Sequence, residues 1–235
     1  MLWRRLVTRR ADRIIVPSHY LKEEAVRNGI CSDSVRVIPL FTGKNPGEEY
    51  SEPREKILLF AGRTDPLKGI GEFLAALGNL REYDWKAYII GTSSLDEYEK
   101  MAADLEIRGR ITFLTGVDYA GLDEYYRRAS VVVFPSRSPE SFGLVGIEAM
   151  SFGRPVIAYD SGGPREWLID GETGLLIKRG DRALLSSSLL KLLHDRTLAE
   201  RMGRHGMERV NMYFRKEHHV DELIDIYEEI AESRQ

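Results

Sequence analysis

The stretch that decides the fold runs Ile57-Leu58-Leu59-Phe60-Ala61-Gly62-Arg63-Thr64-Asp65-Pro66-Leu67-Lys68-Gly69. Five apolar residues without alternation suit a strand buried on both faces, the signature of a parallel sheet. The glycine at its end permits close backbone approach, and Arg63 and Lys68 then place two cations at the mouth of such a sheet. A guanidinium fork and a mobile ammonium suit the two phosphates of a diphosphate. A basic surface loop with a routine proline turn is the alternative.

Outward from this stretch the pattern repeats. Strands are expected at 57–61, 86–90, 111–114, 131–134, 155–159 and 174–177, and helices at 70–81, 95–105, 122–129, 142–152 and 183–193. Strand–helix–strand alternation with short links implies right-handed crossovers and an α/β, doubly wound parallel sheet of Rossmann-like type. Ligands of such sheets bind beyond the carboxyl ends of the strands. Residues 1–43 stand outside the repeat, with helices expected at 3–10 and 21–28 and strands at 13–16 and 35–38. Two strands with their helices are too few to close a sheet and core of their own. Residues 44–54 read as a polar linker, 55–215 as the doubly wound domain and 216–235 as a terminal helix. In that last helix Val220, Leu223, Ile224, Tyr227 and Ile230 form one apolar face.

Bulk properties exclude several classes. The 235 residues carry 34 Lys and Arg against 37 Asp and Glu, a formal net charge of −3, so nothing draws the whole molecule to nucleic acid. Cys31 is the lone cysteine, which excludes an intrachain disulfide and a thiolate metal cluster. No apolar run approaches the ~20 residues that span a bilayer, and the basic start 1–13 lacks a signal-peptide core. A cytoplasmic protein is expected, with a peripheral place at the inner membrane face as the further reading of that basic start. No Asp-x-Asp occurs, so no metal site is expected. His218 and His219 are read as facing solvent.

A second stretch carries more chemistry: Phe134-Pro135-Ser136-Arg137-Ser138-Pro139-Glu140-Ser141-Phe142-Gly143-Leu144-Val145-Gly146-Ile147-Glu148. Ser141 reads as an N-cap, so a helix would start near Phe142 and offer its free amides to a phosphate. Glu140 lies just before that helix. Glu148 sits about two turns on, a carboxylate within an otherwise apolar run, where it costs free energy unless hydrogen-bonded. The pair suits one carboxylate for a sugar hydroxyl and one for a ribose diol. A solvated helix residue and a loop residue are the plainer reading.

Taken together, Gly62-Arg63-x4-Lys68-Gly69 and Glu140-x7-Glu148 resemble glycosyltransferase family 4, of GT-B fold. Further spellings agree along nearly the whole chain: Ala11-Asp12-Arg13-Ile14-Ile15-Val16-Pro17-Ser18, Phe113-Leu114-Thr115-Gly116, Glu148-Ala149-Met150-Ser151-Phe152-Gly153-Arg154-Pro155-Val156 and Gly171-Glu172-Thr173-Gly174-Leu175. The resemblance implies the C-terminal half of a GT-B fold, with 1–43 a remnant of the acceptor-binding domain, 55–215 the nucleotide-sugar-binding domain and 216–235 a crossover helix. It implies that Arg63 and Lys68 bind and stabilise the donor diphosphate, and that Glu140 meets the transferred sugar. Glu148 would take the ribose hydroxyls, and Gly62, Ser141, Phe142, Gly143 and Leu144 would line the donor site with Val117 against the base. The activity implied is retaining, metal-independent hexosyl transfer from a UDP- or GDP-sugar, with no cofactor. The acceptor would be a glycan, lipid or small molecule, and the rest of the acceptor domain would come from another chain or its place be taken by a second copy. The alternative is a non-catalytic nucleotide-sugar-binding subunit. Pro39-Leu40-Phe41-Thr42-Gly43 departs from the family's usual Asn-Gly spelling. A dinucleotide oxidoreductase would need Gly-x-Gly-x-x-Gly after the first strand, which this chain lacks. No lysine has the context of a pyridoxal Schiff base.

Overall fold

A computed structural model describes residues 11–45 and 50–233. The helix expected at 3–10 lies outside the described residues. Strand β1 (Ile14–Val16), helix α1 (His19–Arg27) and strand β2 (Val35–Val37) form a small unit. Its two strands pair only with each other, in parallel, Ile14 opposite Val35. Ser18 caps α1 by accepting from the Leu21 amide.

The remaining strands form one parallel sheet: β3 (Ile57–Ala61), β4 (Lys86–Gly91), β5 (Ile111–Thr115), β6 (Val131–Phe134), β7 (Val156–Tyr159) and β8 (Gly174–Ile177). Their order is β5-β4-β3-β6-β7-β8, so the winding reverses between β3 and β6. The expected doubly wound parallel sheet is what the chain forms. The consecutive apolar runs explain it, since every residue of β3, β6 and β7 is buried. Helices α2 (Ile70–Gly78), α3 (Asp96–Asp104), α4 (Leu122–Arg128), α5 (Leu144–Ser151) and α6 (Arg182–His194) cover the two faces. One core holds Phe73, Leu77, Trp85 and Leu189; the other holds Tyr126, Ile147, Met150 and Trp167. No helix among the described residues is long and apolar enough to cross a membrane.

The structure differs from the sequence pattern in four places. Helix α7 (Arg196–Tyr213) has no counterpart among the expected elements. Its Gly203 and Gly206 weaken the helical pattern, yet they let α7 close on Gly153 and Met150. Helix α8 (Lys216–Ser233) turns a different face inward from the one expected. Ile226 is buried and His219, Leu223 and Ile230 are half-buried, while Val220, Ile224 and Tyr227 are exposed, Tyr227 by 68%. Polar ties set this rotation: Arg13 and Arg36 both reach Glu229, and His219 Nδ1 lies 2.7 Å from the Pro39 carbonyl. His219 therefore does not face solvent, although His218 does. Finally Lys44, placed at the start of a polar linker, is buried.

Candidate functional site

The reversal between β3 and β6 opens a crevice at their carboxyl ends, where open α/β sheets bind ligands. After β3 the chain makes a short 3₁₀ turn, Pro66–Lys68, capped by the Asp65 carboxylate on the Leu67 amide at 2.9 Å. Gly69 then adopts a left-handed φ of 86°, and a Cβ there would lie 1.9 Å from the Pro135 carbonyl oxygen. Only glycine lets the loops after β3 and β6 touch. They are joined further by the Arg137 amide donating to the Leu67 carbonyl at 2.7 Å.

This junction brings Lys68 to Glu140. Lys68 Nζ donates to Glu140 Oε1 at 2.6 Å, and Ser136 Oγ donates to the same oxygen. Arg63 is 68% exposed, its guanidinium held only loosely, 4.0 Å from the Asp65 carboxylate. Glu140 is held in place by its backbone too, since its amide meets the Ser161 carbonyl and its carbonyl takes the Gly163 amide. Residue 140 thus bridges to Gly162 in parallel fashion.

That bridge keeps the chain from turning helical where the sequence reading expected it. Ser141 is not the N-cap. Its carbonyl accepts from Ser18 Oγ at 2.7 Å, and the cap of α5 is Gly143, with a φ of 97° and no side-chain bond. The first-turn amides are consequently those of Leu144 and Val145. Phe142 is wholly buried, and its carbonyl accepts from Trp167 Nε1 at 2.7 Å.

Gly62, Arg63, Lys68, Glu140, Ser141, Phe142, Gly143 and Leu144 all line one pocket of about 390 Å³, together with Leu40, Phe60, Ala61, Phe134 and Val145. Glu148 and Val117 are not among these lining residues. Val117, with Leu114, Leu122 and Tyr125, packs against the core that holds Tyr126, Ile147 and Trp167. Glu148, one turn beyond Leu144, is 6% exposed and accepts from the Tyr126 hydroxyl at 2.8 Å. Burial raises its pKa; the Tyr126 bond, the Lys44 charge and the Tyr119 hydroxyl oppose that, and Asp123 adds to it. Tyr126 is itself pushed well above its ordinary value by burial and by the Glu148 charge. The pocket thus has two cations and a helix start with no side-chain cap, and a sequestered carboxylate behind it.

Sequence reasoning missed Ser136, Tyr126, Tyr119 and Lys44. Ser136 could have been suspected from its position just past a strand end, as Glu140 was. Of the other three, Tyr126 bonds Glu148 from a neighbouring helix, and Lys44 and Tyr119 influence its charge from the linker and a loop, so no local spacing announces them. Among the described residues no group of three or more His, Cys, Asp or Glu is placed to hold a metal.

Residues 43–209 match the family model of glycosyl transferases group 1. The chain belongs to this family. It is 37% identical over 192 residues to the phosphatidyl-myo-inositol mannosyltransferase of Mycobacterium leprae, covering 80% of this chain and 49% of that protein. To the D-inositol 3-phosphate glycosyltransferase of Nocardia farcinica it is 35% identical, covering 82% and 47%. An uncharacterised glycosyltransferase of Methanocaldococcus jannaschii is 30% identical over 96% of this chain and 62% of its own. The chain thus spans about half to three-fifths of the length of these relatives. Among solved structures, sucrose-phosphate synthase from Thermosynechococcus elongatus superposes with a TM-score of 0.86 at 30% identity, over 99% of this chain and 61% of that one. HepE from Anabaena, solved with UDP and glucose, has a TM-score of 0.81 at 21% identity, over 97% and 64%. The six-stranded parallel sheet is therefore that of a GT-B glycosyltransferase.

Proposed function

We propose that this chain carries the donor site of a retaining glycosyltransferase that takes a UDP- or GDP-hexose. The observation that carries the reading is the Lys68–Glu140 contact of 2.6 Å at the mouth of a pocket that also holds Arg63 and the start of α5. Two cations and two helix-start amides suit a diphosphate, and a carboxylate beside them suits the hydroxyls of the attached sugar. In the reaction the bond from the sugar's anomeric carbon to the diphosphate breaks, and an acceptor hydroxyl bonds to that carbon on the same face. The acceptor's proton passes to the departing phosphate oxygen. Arg63 and Lys68 stabilise the charge that grows on the diphosphate, an electrostatic role that needs no metal ion. The inositol-containing substrates in the relatives' names make a polyol or lipid headgroup the acceptor class to try first.

The test is calorimetric titration of UDP, GDP, their hexose conjugates and the bare nucleosides. Arg63→Ala and Lys68→Ala are each expected to weaken the diphosphates by roughly 1.5–3 kcal/mol, the range for a hydrogen bond to a charged group, and to leave the nucleosides unchanged. Equal losses for nucleoside and diphosphate would show that both residues act through the fold.

A further inference from the structure

Lys44 is a lysine in an unusual place. It is 4% exposed, and burying an ammonium is costly unless partners hold it. Its Nζ pairs with the Asp123 carboxylate in the first turn of α4, donates to the Tyr119 carbonyl and lies 3.7 Å from the centroid of the Tyr119 ring. One side chain, from the segment that follows β2, thereby grips the loop between β5 and α4 at the Tyr119 carbonyl and ring, and the first turn of α4 at Asp123.

What the grip presents is Tyr119. Its side chain is half exposed, its hydroxyl oxygen would stand 3.6 Å from a Cβ placed on Gly43, and burial and the Glu148 charge push its pKa up. On the far side of the same carboxylate stands Tyr126, fully buried and stacked on Phe152 at 5.4 Å, a donor with no room to move. Glu148 therefore has one fixed hydroxyl bonded to it, from Tyr126, and a second hydroxyl within electrostatic reach, mounted on a loop whose position depends on Lys44.

We propose that Lys44 is a positioning residue for the nucleoside end of the donor site, pinning the loop so that a ribose diol meets the Tyr119 hydroxyl and the Glu148 carboxylate together. This rests on the reading of Glu148 as the ribose carboxylate. Four groups face that carboxylate: Lys44 from the linker, Tyr119 from the loop, and Asp123 and Tyr126 from α4. Lys44 favours its ionised form and Asp123 disfavours it, so removing Lys44 shifts the pH at which the carboxylate can accept from ribose hydroxyls upward.

The experiment titrates UDP, GDP and inorganic pyrophosphate into the parent chain and five variants between pH 5 and pH 8. Lys44→Met and Tyr119→Phe are each expected to weaken the preferred nucleoside diphosphate roughly two- to tenfold, the span of one hydrogen bond. Pyrophosphate, which reaches only the Arg63–Lys68 end, is expected to bind them as it binds the parent, and Lys44→Arg to keep most of the affinity. The acid limb of the affinity profile moves to higher pH in Lys44→Met and returns in the double variant Lys44→Met/Asp123→Asn, which a merely structural role would not produce. Parent-like binding by Lys44→Met and Tyr119→Phe alongside a loss in Glu148→Gln would overturn the positioning role and leave the ribose reading standing. A parent-like Glu148→Gln would remove the ribose reading and this inference with it. Equal losses of pyrophosphate and nucleoside diphosphate in Lys44→Met would mean a folding effect and would also overturn it.

Discussion

Gly146→Ala is expected to destabilise the chain, against the ordinary preference of helices for alanine. Gly146 lies in the first turns of α5, and a Cβ there would stand 2.2, 2.3 and 2.5 Å from three ring atoms of Trp167. Ordinary contact begins at 3.4 Å, so ring and helix would have to separate by about 1.2 Å, the difference between 3.4 and 2.2. Trp167 cannot yield freely: it is fully buried and its Nε1 is bonded to the Phe142 carbonyl. Alanine contributes about 1 kcal/mol of helix propensity. Overpacking costs about 1–3 kcal/mol, and losing the Trp167 bond about 1 kcal/mol more. The net is a loss of about 1–3 kcal/mol, or roughly 2–10 °C in melting temperature for a chain of this size. Because Phe142 lines the donor pocket, affinity for a nucleoside diphosphate should fall as well. Differential scanning calorimetry reads the first effect, with Gly109→Ala, which has nothing within 4 Å of its added Cβ, as the neutral control. A Gly146→Ala chain melting at or above the parent would refute the close-packing argument.

Three further outcomes follow from the same geometry. Glu140→Gln should weaken hexose conjugates more than bare diphosphates, which even gain as Lys68 is released from its 2.6 Å bond; an unchanged ratio of the two affinities in calorimetry would exclude a sugar contact. Glu148 has a raised pKa when folded, so its contribution to stability is full at acid pH and fades as pH rises through the folded value. Without ligand, Glu148→Gln should accordingly melt above the parent at pH 8, with the gap closing toward pH 4; a gap independent of pH would contradict this. Glu72 is the opposite case: two Arg182 hydrogen bonds, at 2.8 and 2.9 Å, hold its pKa down. Its contribution is present above the ordinary carboxylate pKa and lost as pH falls through the folded one. Glu72→Gln should cost about 1–2 kcal/mol at pH 7, below the full charged-bond range because Arg182 is 58% exposed. Denaturant melts should show that loss shrinking below about pH 4.

The large sheet was legible because its strands are buried on both faces and leave unbroken apolar runs such as Val131–Phe134. From strand ends it was a short step to Arg63, Lys68 and Glu140, which the fold brings to one pocket. Helix α7 escaped because what makes it pack, Gly203 against Gly153, looks locally like a reason not to be helical. The inward face of α8 escaped for another reason: it is chosen by Arg13, Arg36 and Pro39, none of which its own periodicity can register. The start of α5 was misplaced by two residues because the bridge from Glu140 to Gly162 and the Ser18 hydroxyl on the Ser141 carbonyl come from elsewhere in the chain. Local pattern reports what a residue would do alone. These residues are governed by neighbours distant in sequence.

The seam between the β1–α1–β2 unit and the rest is tied by Ser18 to Ser141, His19 to Glu166, Thr42 to Phe214, and Arg13 and Arg36 to Glu229. These ties are N–H and O–H groups meeting oxygens. Exposing polar surface lowers the heat capacity of a protein, whereas exposing apolar surface raises it. Across the seam Tyr20 packs on Gly162, Phe41 on His219 and Leu40 on the second core, so parting it would give a heat-capacity step, but a smaller one for its area than melting of the sheet. The sheet and the seam thus differ in thermal character: the sheet is sealed almost wholly by water-avoiding surface, whereas the seam is closed in good part by bonds that water can replace one at a time.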